Sequence, residues 1–199
     1  MSFTSCALSL ITSRVAAAFV GASATVAASA GVDYELVGDP SSTLVSVTIS
    51  GSGIVSSAGS TVFNPVFDFA GDPIGGSPAN SLFAGVTWTM TNTVTSQSIN
   101  GNRVILGNDP TTDVFGAAGH SGSGLAFGFG QSYTISGSGT IDLADFGRTF
   151  ADLNIGTYIA SGGVSNIVGG GSLVIRQVPA PTTGALVVAG LVVVSRRRR

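Results

Sequence analysis

Through most of the chain apolar and polar residues alternate over short stretches, and Gly, Ser, Asn, Asp and Pro separate one stretch from the next. This pattern predicts half-buried β-strands joined by turns. Val45, Val47 and Ile49 share one parity, with Ser46 and Thr48 between them, so the first set faces a core and the second faces solvent. Leu125, Phe127 and Phe129 repeat the arrangement, and Phe63, Phe67 and Phe69 do so around Pro65. Proline has no N–H for a ladder, which points to an edge strand or bulge there. In Val86-Thr87-Trp88-Thr89-Met90 the apolar members share one face and Thr87, Thr89 and Thr91 the other, so Trp88 is expected in the core behind a threonine-lined wet face.

One segment echoes another: Thr48-Ile49-Ser50-Gly51-Ser52-Gly53 recurs as Thr134-Ile135-Ser136-Gly137-Ser138-Gly139. Two copies this far apart are not a solenoid repeat. They are expected to be equivalent strand-and-turn elements, one in each of two sheets, with glycines supplying backbone angles that other residues resist. Residues 142–153 depart from the alternation. Leu143, Phe146, Phe150 and Leu153 recur at spacings of three and four, opposite Asp142, Asp145, Arg148 and Asp152. That spacing predicts a short amphipathic helix with Arg148 and Asp152 set to pair, weakened by about 1 kcal/mol at Gly147. The whole predicts an all-β domain over residues 31–177, a β-sandwich of jelly-roll-like kind with at most one short helix.

The two ends read differently. Residues 1–30 pass from a weakly basic start, with Arg14 its charge, through Val15-Ala16-Ala17-Ala18-Phe19-Val20 to Ala28-Ser29-Ala30. That order is a secretory signal helix with small residues, Ala28 and Ala30, at the cleavage positions, and cleavage is expected after Ala30. At the other end, residues 178–199, Val178-Pro179-Ala180-Pro181 leads to an apolar run from Gly184 to Val194 and then to Arg196, Arg197, Arg198 and Arg199. The run is shorter than the roughly 20 residues of a full helical span. An arginine cluster stays on the cytoplasmic side, which leaves the preceding domain outside.

This three-part tail resembles the PEP-CTERM family of sorting signals, in which a proline-containing motif, a hydrophobic helix and an arginine run follow one another. Val178, Pro179, Ala180 and Pro181 stand at the motif, with Ala180 where the family usually has glutamate. The resemblance covers about the last tenth of the chain. It implies signal peptidase and an exosortase-type membrane protease as partners during export in a Gram-negative-type bacterium. It also implies transient inner-membrane association through the C-terminal helix, with delivery to the cell envelope or extracellular matrix. Proteins with such tails often look like β-sandwich domains.

Charge and reactive groups narrow the function. Charged residues make up 9% of the chain, against about 25% in ordinary domains. There is no lysine, and once the ends are removed only Arg103, Arg148 and Arg176 face the 10 acidic residues. An acidic domain is repelled by phosphate backbones, which excludes nucleic acid as the main partner. The 1 cysteine, Cys6, falls in the signal segment, so the domain has no disulfide and no thiolate ligand. No P-loop is possible without lysine, and the glycines are not set in the alternating strands and helices of a dinucleotide fold.

His120, the 1 histidine, sits in Gly119-His120-Ser121-Gly122-Ser123 beside a serine, with Asp109 and Asp113 nearby. A nucleophile elbow wants glycine where Ser123 stands, and an exposed loop histidine is the expected reading. Asn108, Asp109 and Asp113 form the best oxygen cluster for calcium, weighed against an Asx turn. Glu35 is the sole glutamate, which leaves no acid–base pair for glycoside hydrolysis. With Trp88 assigned to the core, Tyr34, Tyr133 and Tyr158 remain as platforms for a sugar. The expectation is therefore a non-enzymatic structural or adhesive exported protein without cofactor, with extracellular polysaccharide as a candidate partner. The alternative is a carbohydrate-binding module, with or without calcium.

Overall fold

The computed structural model describes residues 31–55, 60–62, 64–75, 79–108, 112–163 and 170–178. The segments expected as signal and sorting helices lie outside these, as do Phe63, Asp109, Ala28, Ala30, Pro179, Ala180, Pro181 and the four terminal arginines. Eleven strands are present among the described residues: β1 (Gly31–Gly38), β2 (Leu44–Ile54), β3 (Ser60–Val62), β4 (Val66–Phe69), β5 (Ala79–Asn92), β6 (Ser98–Asn108), β7 (Asp113–Ala118), β8 (Leu125–Phe127), β9 (Ser132–Asp142), β10 (Gly156–Gly163) and β11 (Gly171–Gln177). The all-β reading holds.

Two stacked sheets were expected, but nine of the strands close into a barrel in the order β1-β11-β10-β4-β7-β6-β5-β9-β2, and β3 pairs with β8 apart from it. The closing element is β1, which pairs antiparallel with β2 on one side and parallel with β11 on the other. Closure removes the free edges that a sandwich would expose. Alternation alone cannot distinguish the two, because both fold types bury every second residue.

Inward positions fill the barrel with large side chains. Trp88, Tyr34, Tyr133, Phe67, Phe69, Phe83, Phe115 and Phe150 are all buried. Tyr34 meets Phe115 edge to face at 5.2 Å, and the Trp88 indole donates to Ala118 O at 2.8 Å, so its one polar atom is satisfied in the core as anticipated. The parity of β5 changes midway, with Phe83 inward before and Val86, Trp88 and Met90 inward after. Gly85 makes the switch: it sits at φ 95°, and a Cβ there would lie 2.3 Å from Thr140 O. The register with β6 shifts at this point, as a bulge requires.

Two readings need correction. Residues 142–153 form no single helix. They make two 3-10 turns, Leu143–Phe146 and Phe150–Asp152, because Gly147 adopts a left-handed conformation at φ 66° and ends the first. The apolar spacing still serves the core, with Leu143, Phe150 and Leu153 buried and Phe146 against it. Arg148 lies over the Phe146 ring at 4.6 Å and donates to Ile74 O at 3.4 Å. Phe129 is not the third inward member of its set: Leu125 and Phe127 are buried, but Phe129 is 77% exposed in the turn before β9.

The register gives the barrel two ends. Gly38, Leu44, Asn108, Asp113, Asp142 and Gln177 lie at one, where Val178 N–H donates to Gly38 O at 2.9 Å and the chain leaves toward its C-terminus. Ile54, Asn92, Ser98 and Ser132 lie at the other.

Candidate functional site

The two copies of the six-residue echo are neighbours. They pair antiparallel within one wall, with Thr48 opposite Ser138, Ser50 opposite Ser136 and Ser52 opposite Thr134. This corrects the expectation of one copy in each of two sheets joined to turns. The glycines are strand residues whose purpose is close approach. Ile49 faces Gly137 and Ile135 faces Gly51 across the ladder, so each large inward side chain lies opposite a position with none. A Cβ on Gly137 would stand 2.6 Å from Thr87 O and 2.6 Å from Trp88 Cβ.

Outward, the same pairing assembles hydroxyls. On its other side β9 pairs with β5, setting Thr87 opposite Ser138, Thr89 opposite Ser136 and Thr91 opposite Thr134. Strand β6 extends two rows, with Asn100 opposite Thr89 and Ser98 opposite Thr91. The result is a wall of rows Ser52-Thr134-Thr91-Ser98, Ser50-Ser136-Thr89-Asn100 and Thr48-Ser138-Thr87, exposed or half-buried throughout. Strand geometry spaces the columns by about 4.8 Å and the rows by about 6.8 Å. The rows contain no charged group and no large apolar side chain. Some hydroxyls bond laterally, Thr91 with Ser98 at 2.7 Å and Thr89 to Asn100 Oδ1 at 2.6 Å. Thr48, Thr87, Thr89, Ser136 and Ser138 rim a shallow open depression over Gly137. Each hydroxyl can donate and accept, so the wall suits a neutral, polyhydroxylated surface.

Against protein-family models, curated proteins and solved structures, this chain has no match. Its chemistry is therefore read from its own residues.

The sequence-predicted groups are placed as follows. His120 Nδ1 lies 3.1 Å from Asn100 O and Nε2 3.1 Å from Ser123 O, so both ring nitrogens face backbone carbonyls and neither is directed at a serine hydroxyl. Asn108 and Asp113 are buried and clamp a single residue: Ile74 N–H donates to Asp113 Oδ2 at 2.6 Å and Asn108 Nδ2 donates to Ile74 O. Side chains here bond the main chain of Ile74, which also forms an isolated antiparallel bridge with Leu153. No group of three or more metal-ligating side chains occurs among the described residues. Glu35 pairs with Arg176 on the outer wall.

Two of the three tyrosine platforms do not survive. Tyr34 and Tyr133 are buried, and burial pushes both phenols above their ordinary range. The Tyr34 hydroxyl donates to Pro65 O at 2.5 Å, whereas that of Tyr133 has no hydrogen-bond partner among the described residues. Tyr158 is half-buried and donates to Asn154 O at 2.9 Å. The wall rows contain no aromatic ring, so a sugar on the wall would be held by hydroxyls.

Sequence reasoning identified Thr87, Thr89 and Thr91 as a wet face but missed that three further strands, β9, β2 and β6, continue it. The signal was present, since aligning Thr-Ile-Ser-Gly-Ser-Gly antiparallel with its own copy places isoleucine against glycine and hydroxyl against hydroxyl.

Proposed function

We propose that this protein is exported, sorted by an exosortase-type protease and retained in the cell envelope or extracellular matrix, where it has a structural or adhesive role. The single observation that carries the adhesive part is the uncharged hydroxyl wall spanning β2, β9, β5 and β6. The address is supported by the residue order of the two ends: Ala28 and Ala30 before the domain, and Val178 to Pro181, the apolar run and four arginines after it. Intact mass of protein recovered from envelope and medium tests the address. Ends at about Gly31 and near Pro179 are expected, and cytosolic protein carrying both Met1 and Arg199 overturns it.

The wall also favours a second reading, a module that binds neutral polysaccharide. Hydroxyl rows offer many weak, uncharged contacts, so affinity would come from repetition along a polymer. Such binding would persist at high salt, because no ion pair is screened. A glycan array probed with residues 31–178, with and without chelator, separates the readings. Chelator-independent binding that Thr89→Val and Ser136→Ala weaken together supports polysaccharide recognition, loss of signal with chelator points to calcium, and silence leaves the structural role.

A further inference from the structure

The end of the barrel remote from the exit of the chain carries an apolar tip. Phe129 is 77% exposed, Val94 61% and Ile54 46%, and they stand on three neighbouring segments. Ser132 is the cross-strand partner of Ile54 and accepts from Thr93 N–H at 2.9 Å, while Gly130 N–H donates to Val55 O at 3.1 Å. These segments are held rigidly. Buried Asn92 donates from Nδ2 to Ala126 O at 3.1 Å and to Gln131 Oε1 at 2.9 Å, and its Oδ1 accepts from Val94 N–H at 3.0 Å and Thr95 N–H at 3.2 Å. Gln131 Oε1 in turn accepts from Gly128 N–H at 2.7 Å. One buried amide thus fixes both turns and holds Phe129 and Val94 in place.

We infer that this tip inserts into a lipid surface. Three features select that occupant. Phe129 and Val94 protrude from turns and Ile54 from the end of β2, and a fluid bilayer interface accepts protruding side chains without the complementary pocket a protein would have to supply. The supporting segments, Ser52–Val55, residues 93–97 and residues 128–131, contain no charged residue, so nothing opposes entry into the headgroup region. By contrast, the exposed Leu44, Ile155 and Val178 at the opposite end lie among Asp39, Asp142, Asp145 and Asp152, whose carboxylates would be costly there. Val178, the last described residue, lies at that opposite end, so the tip is remote from the point where the C-terminal segment begins. The inference goes beyond the proposed sorting and adhesion and does not require either.

The test places an indole at the tip of the full chain. Phe129→Trp is compared with Ile159→Trp, another exposed apolar position (68%) but on the β10 wall, after subtracting the emission of buried Trp88 from the parent. Excess phosphatidylcholine vesicles are expected to blue-shift the Phe129→Trp indole and brominated lipid chains to quench it, and neither is expected to change the Ile159→Trp indole. Adding Val94→Thr to Phe129→Trp is expected to weaken the vesicle concentration dependence of quenching by roughly tenfold. Equal quenching at both positions, or none at either, overturns the inference. So does a blue shift that grows with protein concentration without vesicles, which would assign the tip to a second copy of the chain. Flotation without tip quenching strikes this inference alone, whereas the sorting reading stands or falls on the intact mass of the protein recovered from cells.

Discussion

Substituting alanine for Gly137 tests the packing that makes the hydroxyl wall possible. The added Cβ would sit 2.6 Å from Thr87 O, 2.6 Å from Trp88 Cβ and 2.9 Å from Trp88 Cα. Two of these three are backbone atoms of the paired strand, so no rotamer change relieves the overlap. Overpacking of a closed core costs about 1–3 kcal/mol, and immovable neighbours argue for the upper part of that range. Alanine also restricts the unfolded chain, which returns about 0.4–1 kcal/mol. The net expectation is a loss of about 2 kcal/mol, or about 4–8 °C in Tm for a domain of this size. Urea unfolding followed by Trp88 fluorescence reads it directly, because the new methyl would press on that residue. Ser138→Ala, one position along but facing solvent, is expected to stay within about 0.5 kcal/mol of the parent. The reasoning is refuted if Gly137→Ala unfolds at the parent's urea midpoint, or if the two variants lose equal stability.

Two tyrosines give a test with opposite signs. Tyr133→Phe removes a buried hydroxyl without a partner among the described residues and is expected to stabilise by about 1 kcal/mol in urea titration, whereas Tyr34→Phe gives up the bond to Pro65 O and is expected to cost about 1 kcal/mol. The Ser41 hydroxyl and N–H on Asp39, the Thr43 hydroxyl and Ala144 N–H on Asp142, and the Thr149 N–H on Asp152 hold these exposed carboxyls below their ordinary value of 3.8. Their stabilisation is complete above that value and is lost as pH falls through the lower folded one. Tm is therefore expected to hold down to about pH 4 and decline below it, less steeply in Asp142→Asn. At the alkaline extreme the raised Tyr34 and Tyr133 phenols favour the fold below their ordinary value of 10.0, and stability is expected to fall as pH rises above it. Phenolate absorbance that increases well before loss of the circular dichroism signal, beyond the contribution of Tyr158, would contradict this. Asp113→Ala breaks the clamp on Ile74 and is expected to cost about 1–3 kcal/mol, while calcium or chelator leaves the parent Tm unchanged in differential scanning calorimetry.

Much of the wall and core is legible in the sequence, because local physics governs it. Two-residue periodicity places Val45, Val47, Ile49 and Trp88 inside and Thr87, Thr89 and Thr91 outside, since a strand's faces are set by parity whatever the strand pairs with. The same rule fails at Phe129, where the strand has already ended at Phe127 and the chain has entered a turn. Residues 142–153 keep their apolar spacing but lose the helix, since one left-handed glycine breaks the hydrogen-bond ladder that spacing alone presumes. What tertiary structure decided was partnership. Whether strands stack or close, that the two echo segments pair with each other, that Asn92 joins two turns and that Asn108 and Asp113 grip Ile74 all depend on residues distant in sequence. Parity and propensity act within a segment, and the choice of neighbour is made by the volume each inward face must fill.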